Sequence, residues 1–86
     1  MDTFLRAFDA LPLGTFQGTA FGTKYVVTRS TVADGRGEKL VGEALDGSDY
    51  ISLNLYRLSS GPLLKPCEMP AAKVIAFVKN LEVEQG

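Results

Sequence analysis

The sequence predicts an α+β fold, an antiparallel four- to five-stranded β-meander with a short N-terminal helix and a C-terminal helix packed on one face. Three observations point there. The segments 24–33, 38–45 and 49–58 are rich in Val, Thr, Tyr and Leu and alternate with period two, the pattern of half-buried strands. Only Asp34-Gly35-Arg36-Gly37 and Asp46-Gly47-Ser48 separate them, and turns this short join antiparallel neighbours. Toward both ends of the chain the apolar residues change to a helical period.

Each element has its own reason. In helix 2–11, Phe4, Leu5, Phe8 and Leu11 share one face, and Pro12 and Gly14 stop it. A weak strand over 15–21 follows, in which Gly18, Ala20 and Gly22 leave one side nearly free of side chains, so another element can lie close against it. A last strand, 63–66, comes after Ser59-Ser60-Gly61-Pro62, and Pro66, which has no N–H to donate, places it at a sheet edge. Pro70 suits the first turn of the closing helix 70–81, with Ala71, Val74, Ile75, Val78 and Leu81 on one side and Lys73, Lys79 and Asn80 opposite. The tail 82–86 is expected to fray. The 86 residues leave room for one core, so one domain over 1–86 is expected.

Composition narrows the function classes. A net charge of −1 argues against binding through a broad positive field, as most duplex DNA binders use. The chain has no histidine and one cysteine, Cys67. That excludes an internal disulfide, Ser-His and Cys-His nucleophile pairs and histidine metal sites. No catalytic residue, metal or cofactor is assigned, and enzyme activity is not expected. A thiol-dependent activity at Cys67 is kept as a distant alternative; it precedes a helix start, but Glu68 opposes a thiolate and there is no resolving cysteine. The acid at Asp2 and the lack of a long apolar run argue against a signal peptide or a membrane span, and a cytoplasmic location is expected.

Turn chemistry suggests a register, and the register decides which residues face a partner. With Gly47-Ser48 as a two-residue loop, Leu40, Gly42 and Ala44 oppose Leu55, Leu53 and Ile51 on the helix-covered side. Lys39, Val41, Glu43 and Leu45 then run across from Tyr56, Asn54, Ser52 and Tyr50 on the open side. The preceding hairpin admits two registers. The one with a three-residue Gly35-Arg36-Gly37 loop, Gly37 left-handed, keeps Arg29 out of the core opposite Glu43, sends Thr28 and Val32 to the helix side and leaves Tyr25 open. A Ser60-Gly61 loop in the last hairpin sets Lys65 across from Tyr56, so that Lys39 and Lys65 flank one ring. The candidate ligand-binding residues are therefore Tyr25, Arg29, Lys39, Tyr50, Asn54, Tyr56 and Lys65. Rings on a sheet stack bases while cations track phosphate. Tyrosine is also simply favoured in strands, and half-exposed antiparallel sheets display such residues without any ligand.

The order of four strands and a helix over 24–81 resembles the architecture of the Pur-alpha repeat and of the single-strand-binding transcriptional coactivators of the positive cofactor type. Tyr25-Val26-Val27, Lys39-Leu40-Val41, and Gly61 with Leu64-Lys65-Pro66 ahead of the helix carry the resemblance, which spans most of the chain. It implies single-stranded nucleic acid on the open face, at Tyr25, Arg29, Lys39, Tyr56 and Lys65, and dimerisation. The chain departs after Lys65-Pro66, where those coactivators run basic and glycine-rich and this one has Cys67-Glu68-Met69. The expectation is a non-enzymatic binding module, with single-stranded nucleic acid as the first ligand and homodimerisation or protein binding as the rival.

Overall fold

A computed structural model of the chain describes residues 2–32 and 35–84. Helix α1 (Asp2–Asp9) places Phe4 and Phe8 one turn apart, both buried. It ends in a tightening turn, with the Ala10 and Leu11 N–H groups donating to the Arg6 and Phe8 carbonyls. Five strands follow: β1 (Gly14–Ala20), β2 (Thr23–Val32), β3 (Gly37–Ala44), β4 (Tyr50–Leu58) and β5 (Gly61–Pro66). Helix α2 (Ala71–Asn80) and a short β6 (Glu82–Val83) close the described chain. The fold is α+β as expected. The strand count is higher, because the segment expected to fray supplies β6.

Among the described residues the strands form one antiparallel sheet in the order β5-β4-β3-β2-β1-β6. Chain order gives a meander, and α2 carries the chain from the β5 edge to the β1 edge. The β5 edge is blunted by its sequence. Because the Cys67 N–H donates to the Ser52 carbonyl, the even-numbered residues of β5 aim their N–H positions away from the sheet. Pro62 and Pro66 sit at two of those positions and have nothing to donate. The edge expected from Pro66 is therefore the one observed. Pro70 lies one residue outside α2, as its N-cap, rather than in its first turn.

Both helices cover the same side of the sheet. The core joins Phe4, Phe8, Val74, Phe77 and Val78 of the helices to Tyr25, Val27, Leu40, Ala44, Ile51, Leu53 and Leu55 of the sheet. Two glycines let the layers approach. A Cβ on Gly42 would lie 3.1 Å from Cζ of Phe77, and one on Gly18 would meet Leu81 Cδ1 at 2.8 Å and the Glu82 carbonyl at 2.9 Å. The bare side of the weak first strand is thus occupied, by the end of α2 and the start of β6.

The registers differ from those expected in an instructive way. In the β3–β4 hairpin Leu40 opposes Leu53 and Gly42 opposes Ile51, two residues from the expected pairing. The loop spans 45–48, and the Ala44 N–H donates to the Asp49 carbonyl. In the β4–β5 hairpin Lys65 opposes Asn54 rather than Tyr56, again a shift of two. An even shift leaves every side chain on its expected side. The β2–β3 hairpin shifts by three, with Arg29 opposite Leu40 and Val32 opposite Gly37. An odd shift turns β2 over. Tyr25 and Arg29 therefore face the helices, and Thr28 and Val32 face outward, each the reverse of expectation. Gly35, at φ 86°, is the left-handed residue of this loop, while Gly37 is a strand residue beneath Tyr56. The last residue of the expected strand 24–33 and the loop residue Asp34 lie outside the described residues.

An inward-facing arginine needs compensation for lost hydration, and the fold supplies it. The Arg29 side chain is 11% exposed and lies 2.6 Å from Glu38, itself 14% exposed. Arg29 also donates to the carbonyls of Phe8 at 3.2 Å and Leu11 at 2.5 Å, where α1 ends. Its guanidinium carbon sits 4.7 Å above the centre of the Phe8 ring. Arg57 extends the network to Asp9 and, at 3.1 Å, to Glu38. These hydrogen bonds, that to Asp9 foremost, raise the Arg57 pKa further.

The opposite end of the helix side carries a second cluster. The Tyr25 hydroxyl donates to Asp49 at 2.7 Å, and Lys73 of α2 reaches the other Asp49 oxygen at 2.8 Å. The Tyr25 ring meets Phe77 edge-on, 4.8 Å between centres. Burial, then the bond to Asp49, pushes the Tyr25 pKa up to about 12, while the hydrogen bonds from Lys73 and Tyr25 hold Asp49 below the usual carboxylate value. A raised tyrosine pKa favours the protonated ring in the fold. Its stabilisation is therefore complete below pH 10 and is lost as pH climbs from 10 through about 12. The loss is roughly 2 to 3 kcal/mol. Free energies of unfolding from urea titrations across that window should fall in the parent chain by this much more than in Tyr25→Phe. Equal slopes for the two would show that the hydroxyl carries no such linkage.

Candidate interaction surface

With both helices on one side, the other side of the sheet is bare among the described residues, and its residues can be read from the register. Thr15 and Gln17 of β1 lie beside Thr28 and Val26 of β2. Next come Val41 and Glu43 of β3, then Ser52 and Tyr50 of β4. One row nearer the β5 turn, Ser30, Lys39, Asn54 and Lys65 cross four strands in line. The centre holds small uncharged side chains. Thr15 and Thr28 share a hydroxyl hydrogen bond of 3.0 Å, Ser52 is only 4% exposed, and Val26 and Val41 are half-buried between neighbours.

Of the seven candidate residues, five lie on this face: Lys39, Tyr50, Asn54, Tyr56 and Lys65. Tyr25 and Arg29 do not; both belong to the helix-side clusters. The five do not converge as expected. Lys39 and Lys65 flank Asn54, not a ring. A Cβ on Gly37 would lie 2.7 Å from the Tyr56 ring and 3.0 Å from Val32, so Tyr56 is folded over its own sheet and half-buried. Tyr50 is 48% exposed at the other end of β4, opposite Glu43. Val26, Thr28 and Glu43 line the same face and were not among the candidates. For Val26 and Thr28 the missing signal was the side to which β2 belongs.

Among the described residues the charges of the face balance. Lys24, Lys39 and Lys65 are cationic, and Glu43, Glu82 and Glu84 anionic. Lys24 and Glu84 approach to 4.0 Å. Among the described residues Lys39, Glu43 and Lys65 have no ion-pair partner, unlike the charges of the two helix-side clusters. Exposed Leu45 extends the face beyond β3, its N–H bonded to the Lys24 carbonyl. Cys67 is half-buried at the β5 margin, at the register position opposite Ser52. Among the described residues no three His, Cys, Asp or Glu side chains gather as metal ligands, and no helix is long and apolar enough to cross a membrane.

No family model, curated protein or solved structure matches the chain.

Proposed function

We propose that this protein is a non-enzymatic interaction module whose bare sheet face docks against a protein surface. One observation carries the reading: the centre of the face is small and uncharged, with Val26, Thr28, Val41 and Ser52, and it is bordered by Lys39, Asn54, Lys65, Glu43 and Gln17. An uncharged centre within a polar rim is the anatomy of a protein interface. Single-stranded nucleic acid needs rings and an excess of cations along a track. Here one expected ring and one expected cation are turned inward, a second ring is folded over Gly37, and among the described residues of the face three acids match three lysines.

The row Lys39, Asn54 and Lys65 is what remains for nucleic acid, and it permits a direct test. Amide NMR spectra recorded at low salt during titration with mixed single-stranded oligonucleotides should leave Lys39, Asn54 and Lys65 unmoved. Shifts at these three that weaken as salt is raised would replace the protein reading with the nucleic-acid one.

A further inference from the structure

We infer that the occupant of the bare face is a second copy of this chain, placed by a two-fold axis that crosses the strands through Val41 and pairs Lys39 of each copy with Glu43 of the other. The inference rests on the interaction-surface reading above. It follows from the arrangement of charge on one strand. Lys39 and Glu43 lie on the same side of β3, two residues before and two after Val41. A two-fold axis in the plane between two stacked sheets, running across the strands at Val41, exchanges those two positions. Each unpaired lysine then faces an unpaired glutamate, twice per dimer, as a self-complementary interface requires.

Most of the remaining face agrees with that axis; Lys24, which it sets opposite the partner copy's Val32, directs its ammonium toward Glu84 of its own chain. Thr28, level with Val41 on the adjacent strand, meets its own copy, and Ser52, level with it on the other side, is recessed and puts nothing in the way. Tyr50 faces the partner copy's Asn54 and Val26 the partner copy's Ser30, which lie equally far from the axis on the same strands. Leu45, 57% exposed on the monomer, comes to the position facing Gly37, beside Tyr56 and Val32, the most apolar part of the face. Five strands about 4.8 Å apart, averaging eight residues that each rise about 3.3 Å, give this face a flat area of roughly 650 Å² per copy. That falls within the range of standard interfaces, near its lower end. Growth at the β5 edge is opposed by Pro62 and Pro66.

Sedimentation equilibrium over a wide concentration range, combined with charge exchange, tests the inference. The parent chain should show a monomer–dimer equilibrium. Lys39→Glu and Glu43→Lys each set like charges opposite one another at two places, and each should weaken self-association about tenfold to a hundredfold. Mixing the two variants should restore dimers, because both cross-pairs are then of opposite sign; the double variant Lys39→Glu with Glu43→Lys should dimerise like the parent. Both positions are exposed, so far-ultraviolet circular dichroism of each variant should match the parent.

A monomeric parent at every concentration overturns the second-copy occupant alone, and the oligonucleotide titration still decides the interaction-surface reading. A parent dimer that is indifferent to both single exchanges likewise overturns the inference alone, since the copies then meet elsewhere or about another axis, and the oligonucleotide titration again decides the interaction-surface reading.

Discussion

Arg29→Ala is expected to lower the free energy of unfolding by about 3 kcal/mol, seen as a fall in urea midpoint with little change in m-value. The cost does not come from Coulomb attraction in isolation. Arg29 is the point where β2, β3 and the end of α1 are tied together. Its removal leaves Glu38, 14% exposed, with Arg57 as its remaining cation, and strips the Phe8 and Leu11 carbonyls of their shared donor. The Phe8 ring loses the cation above its face. A chain of this length holds roughly 4 to 13 kcal/mol in all, so the variant gives up a large part of its margin. Arg29→Lys should recover only part of the loss, because one ammonium cannot reproduce the guanidinium fork to Glu38 and both carbonyls. An unchanged midpoint in Arg29→Ala would mean that desolvation cancels everything the network contributes.

Phe77→Ala should cost about 3 to 5 kcal/mol, the range for an aromatic ring removed from a closed core. Phe77 is 1% exposed, lies over Gly42 and meets Tyr25 edge-on, so it joins α2 to the middle of the sheet. The same geometry forecasts non-additivity. Gly42→Ala sets a methyl 3.1 Å from Cζ of Phe77, and the ring must retreat by a few tenths of an ångström. With Phe77→Leu in place that retreat is unnecessary, so the double variant should be more stable than the sum of the singles by about 1 kcal/mol. A double-mutant cycle in urea measures this. Strict additivity would show that the ring does not bear on Gly42.

Much of this architecture is legible residue by residue. The alternation Leu40, Gly42, Ala44 against Ile51, Leu53, Leu55 places two strands with their apolar sides together whatever the loop, and the expected loops err by two residues without moving a single side chain across the sheet. The β2 error has another origin. A loop chosen to keep Arg29 out of the core differs from the real one by an odd count, and that turned the strand over, Tyr25 with it. A signal for the right choice was present. Glu38 continues the period of Leu40, Gly42 and Ala44, and Arg57 continues that of Ile51, Leu53 and Leu55, so the helix side already carried an acid and a cation before Arg29 was placed. β6 had no such signal. Two residues, Glu82 and Val83, have no strand pattern of their own and become a strand because β1 offers them a free edge.

What the sequence determined alone is the identity, order and antiparallel connection of the main elements, since period and turn chemistry are local properties. What the tertiary structure decided is which side of β2 faces the helices, and with it the composition of the bare face. The physical reason is that alternation tells which residues share a side, whereas the side that can be buried depends on distant partners. Here Glu38, two carbonyls of the α1 terminus and an aromatic ring compensate one guanidinium for the water it gives up.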